Sequence, residues 1–299
     1  MAMDTTGWRE ISLGYHSFLS PPDFTPPQMT ARVGSATLHI LRDEPRSFSE
    51  LVQAQDDTGD IVRHIKSGDW DIFVTREDSG LVVSSYTFLV FGMLRIGPDV
   101  VLTRDSMSRS EFPQADDDRK WQFHRVTTVT RADAASASDL QGFILNDLVF
   151  LTDSSVAAGE EGLIFQAFAA ARDADQGNGS SSETHNNYEV TFIFMPHDGS
   201  ADDRLLTTPP DISTMPGVTV NNRELKVDGA DAVLSRVEIT EGERSLTTFD
   251  GAVYWFGAKL PAQGELLVSA HSKFVNDALP ANEAETRAMA MLTSIRRRR

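Results

Sequence analysis

The chain has 299 residues, with 44 Asp plus Glu against 27 Lys plus Arg, for a net charge of −17 at pH 7. A polyanion of this kind repels a nucleic-acid backbone; its charge either draws in a basic protein partner or serves only to keep the chain dispersed. There is no cysteine, which excludes structural disulfides, thiolate nucleophiles and cysteine-held zinc together.

In chain order, residues 1–28 open with Trp8 and Tyr15 and then carry four prolines between Pro21 and Pro27. Proline at that density forbids a helix and favours an extended arm. Val33 to Arg42 alternates as a strand does. Ser47-Phe48-Ser49-Glu50 reads as a capping box, in which Ser47 accepts from a first-turn amide and Glu50 reaches back. Phe48, Leu51 and Val52 give that helix one apolar face. Asp57-Thr58-Gly59 interrupts it, and Ile61, Val62 and Ile65 supply a further helical face up to Gly68. Asp69–Arg76, Leu81–Ile96 and Val100–Arg104 are rich in aromatic and β-branched residues and predict an antiparallel meander. Asp116-Asp117-Asp118 then suits a helix N-terminus, with the helix running from Arg119 to about Arg131.

From Arg131 to Asp139 nearly every residue is Ala, Ser or Asp. The chain then turns abruptly apolar from Phe143 to Leu151. A polar connector leading into a buried strand marks a boundary between two domains. We therefore expect an N-terminal lobe over 1–138 and a C-terminal lobe over 139–299. In the second lobe, Phe143–Leu151, Gly162–Ala171, Tyr188–Pro196, Arg223–Val227, Ala232–Thr240, Gly251–Leu260 and Glu265–Phe274 read as strands. The polar segment from Asp173 to Asn187 has no residue able to build a core and reads as an exposed loop. After Pro280, the residues Ala284, Ala288, Met291, Leu292 and Ile295 form one apolar stripe of a closing helix, with Arg296–Arg299 at its C-terminal end. The expected fold class is α+β: two strand-rich lobes, each a mostly antiparallel sheet with one or two packed helices, joined by a short polar linker.

The residues that would carry chemistry do not assemble into a motif. No Gly-x-Ser-x-Gly elbow occurs; Gly179-Ser180-Ser181-Ser182-Glu183 lacks the second glycine. The seven histidines (His16, His39, His64, His124, His185, His197, His271) hold no pair at zinc-binding helical spacing. Asp173-Ala174-Asp175 opens like a calcium loop, but Gly177, Asn178 and Thr184 stand where that loop needs a ligand, a glycine and a glutamate. No cofactor or metal is expected, and the chain is read as a protein that acts through its surface.

Several segments resemble the immunity proteins that accompany phospholipase effectors of type VI secretion systems. These are Gly14-Tyr15-His16-Ser17-Phe18-Leu19 ahead of the prolines, Phe123–Arg131 followed by Gln141-Gly142-Phe143-Ile144, Gly264-Glu265-Leu266-Leu267-Val268, and Asn282-Glu283-Ala284-Glu285 through Met291 to Arg298. The chain departs from that family in lacking its cysteines and in carrying Met291 near the place of a tryptophan. The resemblance implies a non-enzymatic two-lobed protein that grips a toxic lipase and blocks its active site or lid. It also implies the periplasm, which here requires a signal peptide trimmed ahead of Met1. Exposed loop acids are the expected contacts: Asp116, Asp117, Asp118, Asp173, Asp175, Glu183, Asp202 and Asp203. The alternative is an enzyme or small-ligand binder with a cleft between the lobes.

Overall fold

A computed structural model of the chain describes residues 3–24, 27–55, 58–77, 87–108, 126–131, 142–152, 163–170, 188–196, 217–239, 252–262, 267–276 and 279–298. The first half of the chain forms β1 (Arg9–Gly14), β2 (His16–Ser20), β3 (Gln28–Val33), β4 (Ala36–Leu41), α1 (Phe48–Gln53), β5 (Thr58–Ser67), β6 (Trp70–Glu77), β7 (Thr87–Ile96), β8 (Asp99–Ser108) and β9 (Val126–Arg131). The second half forms β10 (Gly142–Leu145), β11 (Leu148–Thr152), β12 (Leu163–Ala170), β13 (Tyr188–Pro196), β14 (Val218–Val227), β15 (Ala230–Ile239), β16 (Ala252–Pro261), β17 (Leu267–Asn276), α2 (Ala281–Thr293) and β18 (Arg296–Arg297). Each half thus reads as a hairpin, six strands and a closing strand.

The chain divides into two compact units: Met1–Met29 with Ile164–Arg299, and Thr30–Leu163. In the second of these, a six-stranded antiparallel sheet runs β5-β6-β7-β8-β4-β3. A smaller sheet runs β10-β11-β9. In the first, the six-stranded antiparallel sheet runs β14-β15-β16-β17-β13-β12. Its smaller sheet runs β18-β2-β1. Numbered one to six along the chain, both large sheets have the order 3-4-5-6-2-1. Each unit therefore takes its large sheet and closing strand from one half of the chain, and its hairpin from the other. The boundary expected between residues 138 and 139 lies outside the described residues. The compact units are divided elsewhere because of this exchange of hairpins.

Local chemistry accounts for the elements. In α1 the Ser47 side chain accepts from the Glu50 amide, and the Glu50 carboxylate accepts from the Ser47 amide at 2.8 Å. This is the predicted capping box. Leu51 and Val52 pack onto Phe73, Leu89, Phe91, Met93, Val100 and Leu102 of the sheet. In α2 Ala284, Ala288, Met291 and Leu292 of the predicted stripe are buried, as is Ile295 just past the helix end.

The fold is more strand-rich than expected, with only two short helices among the described residues. The helix expected over 61–68 is strand β5. Bulges between Thr58 and Ile61 and between Ile61 and Arg63 shift its register and so disguise the alternation of a strand as helical spacing. Residues 126–131, expected as the end of a helix, form β9; their run of Val and Thr is β-branched and suits a pleated surface. Phe143–Leu151, expected as one strand, is the β10–β11 hairpin, turned at Asn146-Asp147 with Asn146 at φ 60°. The opening arm contains a hairpin too, turned at Gly14-Tyr15 with Gly14 at φ 64°.

Candidate interaction surface

The eight acids expected to meet a partner, Asp116, Asp117, Asp118, Asp173, Asp175, Glu183, Asp202 and Asp203, all lie outside the described residues. The described residues present three polar assemblies and one long open edge. No group of three or more His, Asp or Glu among them stands close enough to hold a metal ion.

The unit Thr30–Leu163 contains a ring of four charges. Asp99, at the start of β8, is 3% exposed and accepts from Arg42 at 2.8 Å and from Arg131 at 2.7 Å. Asp147, in the β10–β11 turn, accepts from Arg131 at 2.6 Å and also from Arg42. The Asp43 amide donates to Asp99 at 3.0 Å. Burial opposes ionisation of Asp99, but that amide and the two guanidinium groups outweigh it and hold the carboxyl below its usual range. Every member of the ring has a partner of opposite sign, so its chemistry is structural: it ties the ends of β8, β4 and β9 to the β10–β11 turn.

In the other unit His16 is fully buried. Its Nε2–H donates to the Pro261 carbonyl at 2.9 Å, and its ring stacks on Phe194 with centroids 5.3 Å apart. Nδ1 has no hydrogen-bond partner. Burial pushes this imidazole down to about 4, against the raising effect of the Pro261 bond and of Asp228. It is neutral at pH 7 and serves as a flat aromatic core group. Arg296, Arg297 and Arg298 lie beside it with Glu10, Ser17 and Asp228 around a cavity of about 500 Å3. Arg296 pairs with Glu10 at 2.9 Å, and the Arg297 amide donates to Asp228 at 2.7 Å. The arginine run is therefore partly spent in fastening β18.

A groove of about 640 Å3 runs along α2. Asn282, Glu285, Thr286, Met289, Ala290 and Thr293 line it, a second stripe at helical spacing on the helix face nearly opposite the buried one. Met3, Thr5, Ser294, Leu19 of β2 and Arg223 of β14 complete the wall. Glu285 holds Arg223 at 3.3 Å and Arg236 at 3.4 Å, which couples the helix to β14 and β15. Arg236 in turn lies 6.0 Å from the centroid of the buried Tyr254 ring.

Beside the groove, β14 is the outermost strand of its sheet, and among the described residues its one strand partner is β15. Thr219, Asn221, Asn222, Arg223, Glu224 and Lys226 are all exposed. The hairpin turns at Asp228-Gly229, with φ 47° and 82°, as a two-residue turn with both central residues left-handed requires. The Asp-Gly pair between two strands was the available sequence signal for this hairpin. The openness of the edge was not legible, because it depends on which strand ends up outermost.

No family model matches the chain, and no curated protein matches it in sequence. Among solved structures, the fold is similar to that of a chain in the crystal structure of the Tle4–Tli4 complex, with a TM-score of 0.60, 15% sequence identity, and 99% of both chains covered.

Proposed function

We propose that the chain is an immunity protein: it binds a cognate type VI secretion phospholipase effector and holds it inactive by covering its active site or its lid. The observation that carries this reading is the fold likeness, along 99% of both chains, to a component of the Tle4–Tli4 complex, a protein solved bound to another. It agrees with the motifs that resemble immunity proteins of phospholipase effectors. The net charge of −17 adds long-range attraction for a basic effector surface. On this reading the protein performs no catalysis and works in the periplasm, where such effectors act. The eight acids Asp116 to Asp118, Asp173, Asp175, Glu183, Asp202 and Asp203 are its steering contacts.

The test is to mix the purified protein with the phospholipase encoded beside it and to measure binding and residual lipase activity. Tight binding with loss of activity is expected. Absence of binding at micromolar concentration removes the reading. If the acids steer the encounter, association slows as salt rises through the physiological range, whereas a flat salt response removes them from the account.

A further inference from the structure

The geometry points to the outer edge of β14, together with the groove between it and α2, as the place where an extended segment of the effector adds as a further strand. This inference rests on the effector-binding function proposed above and assigns it a surface.

A sheet edge presents unpaired amides and carbonyls, and proteins ordinarily guard such edges. The two large sheets offer a direct comparison, because β5 and β14 hold the same outermost position in the same strand order. Two bulges interrupt β5. The Thr58 hydroxyl at its start is also bound back to the α1 carbonyl of Val52 at 3.1 Å and to that of Gln55 at 2.8 Å. Among the described residues β14 has no such guard. Its ten residues pair with β15 without a register shift, from Val218–Ile239 to Val227–Ala230. They make a straight template of about 33 Å at the usual rise per residue.

The two-residue turn closes on the Val227–Ala230 pair, and hydrogen-bonded and open pairs alternate along an antiparallel ladder. The amides and carbonyls of Val220, Asn222 and Glu224 are thereby directed away from β15. A strand laid along this edge puts every second side chain on the α2 side. There Met289, Ala290 and Leu19 give apolar contact, and the Arg223–Glu285 pair gives polar contact. An open backbone edge beside a helix-walled groove is the combination that strand addition uses: main-chain bonds supply affinity, and alternate side chains supply selectivity.

The fitting occupant is a segment with apolar residues at alternate positions, drawn from a protein less acidic than this one. A second copy is disfavoured because each copy carries a net charge of −17.

The experiment uses the full chain and the purified phospholipase effector. Asn222→Pro deletes an outward amide without removing a bond to β15, which an edge strand tolerates. Asn222→Ala removes only the side chain. Asn222→Pro is expected to weaken effector binding at least tenfold, with Asn222→Ala within twofold of the unmodified chain. Amide exchange on the unmodified chain provides a readout that needs no variant to fold: Val220, Asn222 and Glu224 should exchange fast when free and at least tenfold more slowly in the complex. Equal binding by a folded Asn222→Pro protein, or unchanged exchange in the complex, overturns the assignment. Dimers of the chain that Asn222→Pro abolishes would give the edge to a second copy and overturn it likewise. If the unmodified chain binds no effector, the proposed function fails first and takes this occupant with it.

Discussion

In the unit built on β3–β8, the hairpin turn Asn146-Asp147 is fastened by charge: Asp147 sits between Arg42 and Arg131, which also share the buried Asp99. In the unit built on β12–β17, the equivalent turn, Gly14-Tyr15, is fastened by packing. The Phe165 ring lies where a Gly14 side chain would be, and Tyr15 meets the same ring edge-on at 5.6 Å. The two turns share a positive φ at the first residue and the same place in a common strand order. The difference shows that strand order leaves the fastening chemistry free. Each unit has solved the same closure with different forces, and those forces respond differently to substitution, salt and pH.

Exchanging residues between the turns should break the comparison most sharply. Gly14→Asn puts an amide side chain into the Phe165 ring and should destabilise the protein by about 4 kcal/mol, through overpacking and a buried polar group without partners. Urea unfolding measures this directly. An effect under about 1 kcal/mol would mean that the Phe165 contact does not fix this turn.

Next in size is the charge ring. Asp99→Ala leaves Arg42 and Arg131 facing each other with only Asp147 between them, and should cost about 3 kcal/mol because it breaks a buried pair. Asp147 is 48% exposed, so Asp147→Ala should cost less than about 1 kcal/mol. High salt should lower the stability of the unmodified protein less than either substitution does, because the buried half of the ring is poorly screened.

Acid should then act on the packed unit through His16. Its folded value is depressed to about 4, below that of the unfolded chain, so the unfolded chain binds its proton first. The stability contributed by neutral His16 is complete above about pH 6.5 and falls as the pH drops towards about 4, with roughly 2.5 kcal/mol lost by pH 4.5. Asp228 and Arg297 are the charged groups that act on it, with opposite signs. His16→Gln should remove this slope. Asp99 works at lower pH, because its lowered carboxyl contributes above the unfolded carboxylate range and is lost only as the pH falls through its own depressed value.

The same contrast explains what could be read in the sequence. Packing that follows one local period was legible: the Ser47–Glu50 cap, the Ala284–Ile295 stripe, and β13, which spans Tyr188–Pro196 as expected. Features set by the register between strands were not legible. The bulges of β5 turned Ile61 and Ile65 into an apparent helix face. The hairpin at Asn146-Asp147 hid inside an apolar run, although Asn and Asp are turn residues that accept a positive φ. The exchange of hairpins between halves could not be read locally at all, because it joins strands from opposite ends of the chain. For the candidate surface, Arg223, Glu285 and Met289 look like ordinary solvent-facing residues until the sheet order places β14 on the outside.

The smallest expected effect is the reverse exchange, Asn146→Gly. Asn146 already sits at φ 60°, where glycine is at ease and asparagine is tolerated. Replacing it relieves a little backbone strain in the folded turn but frees the unfolded chain, and the two nearly cancel, leaving a change of about 0.5 kcal/mol or less in either direction. The neighbouring Asp147 keeps both guanidinium partners, so the charge ring survives the substitution intact. Urea unfolding of Asn146→Gly beside Gly14→Asn therefore separates two explanations of the paired turns. If backbone conformation governed both, the two exchanges would have effects of similar size and opposite sign. If the surroundings govern them, one exchange is nearly silent and the other severe, because only at Gly14 does an aromatic ring occupy the space of the missing side chain.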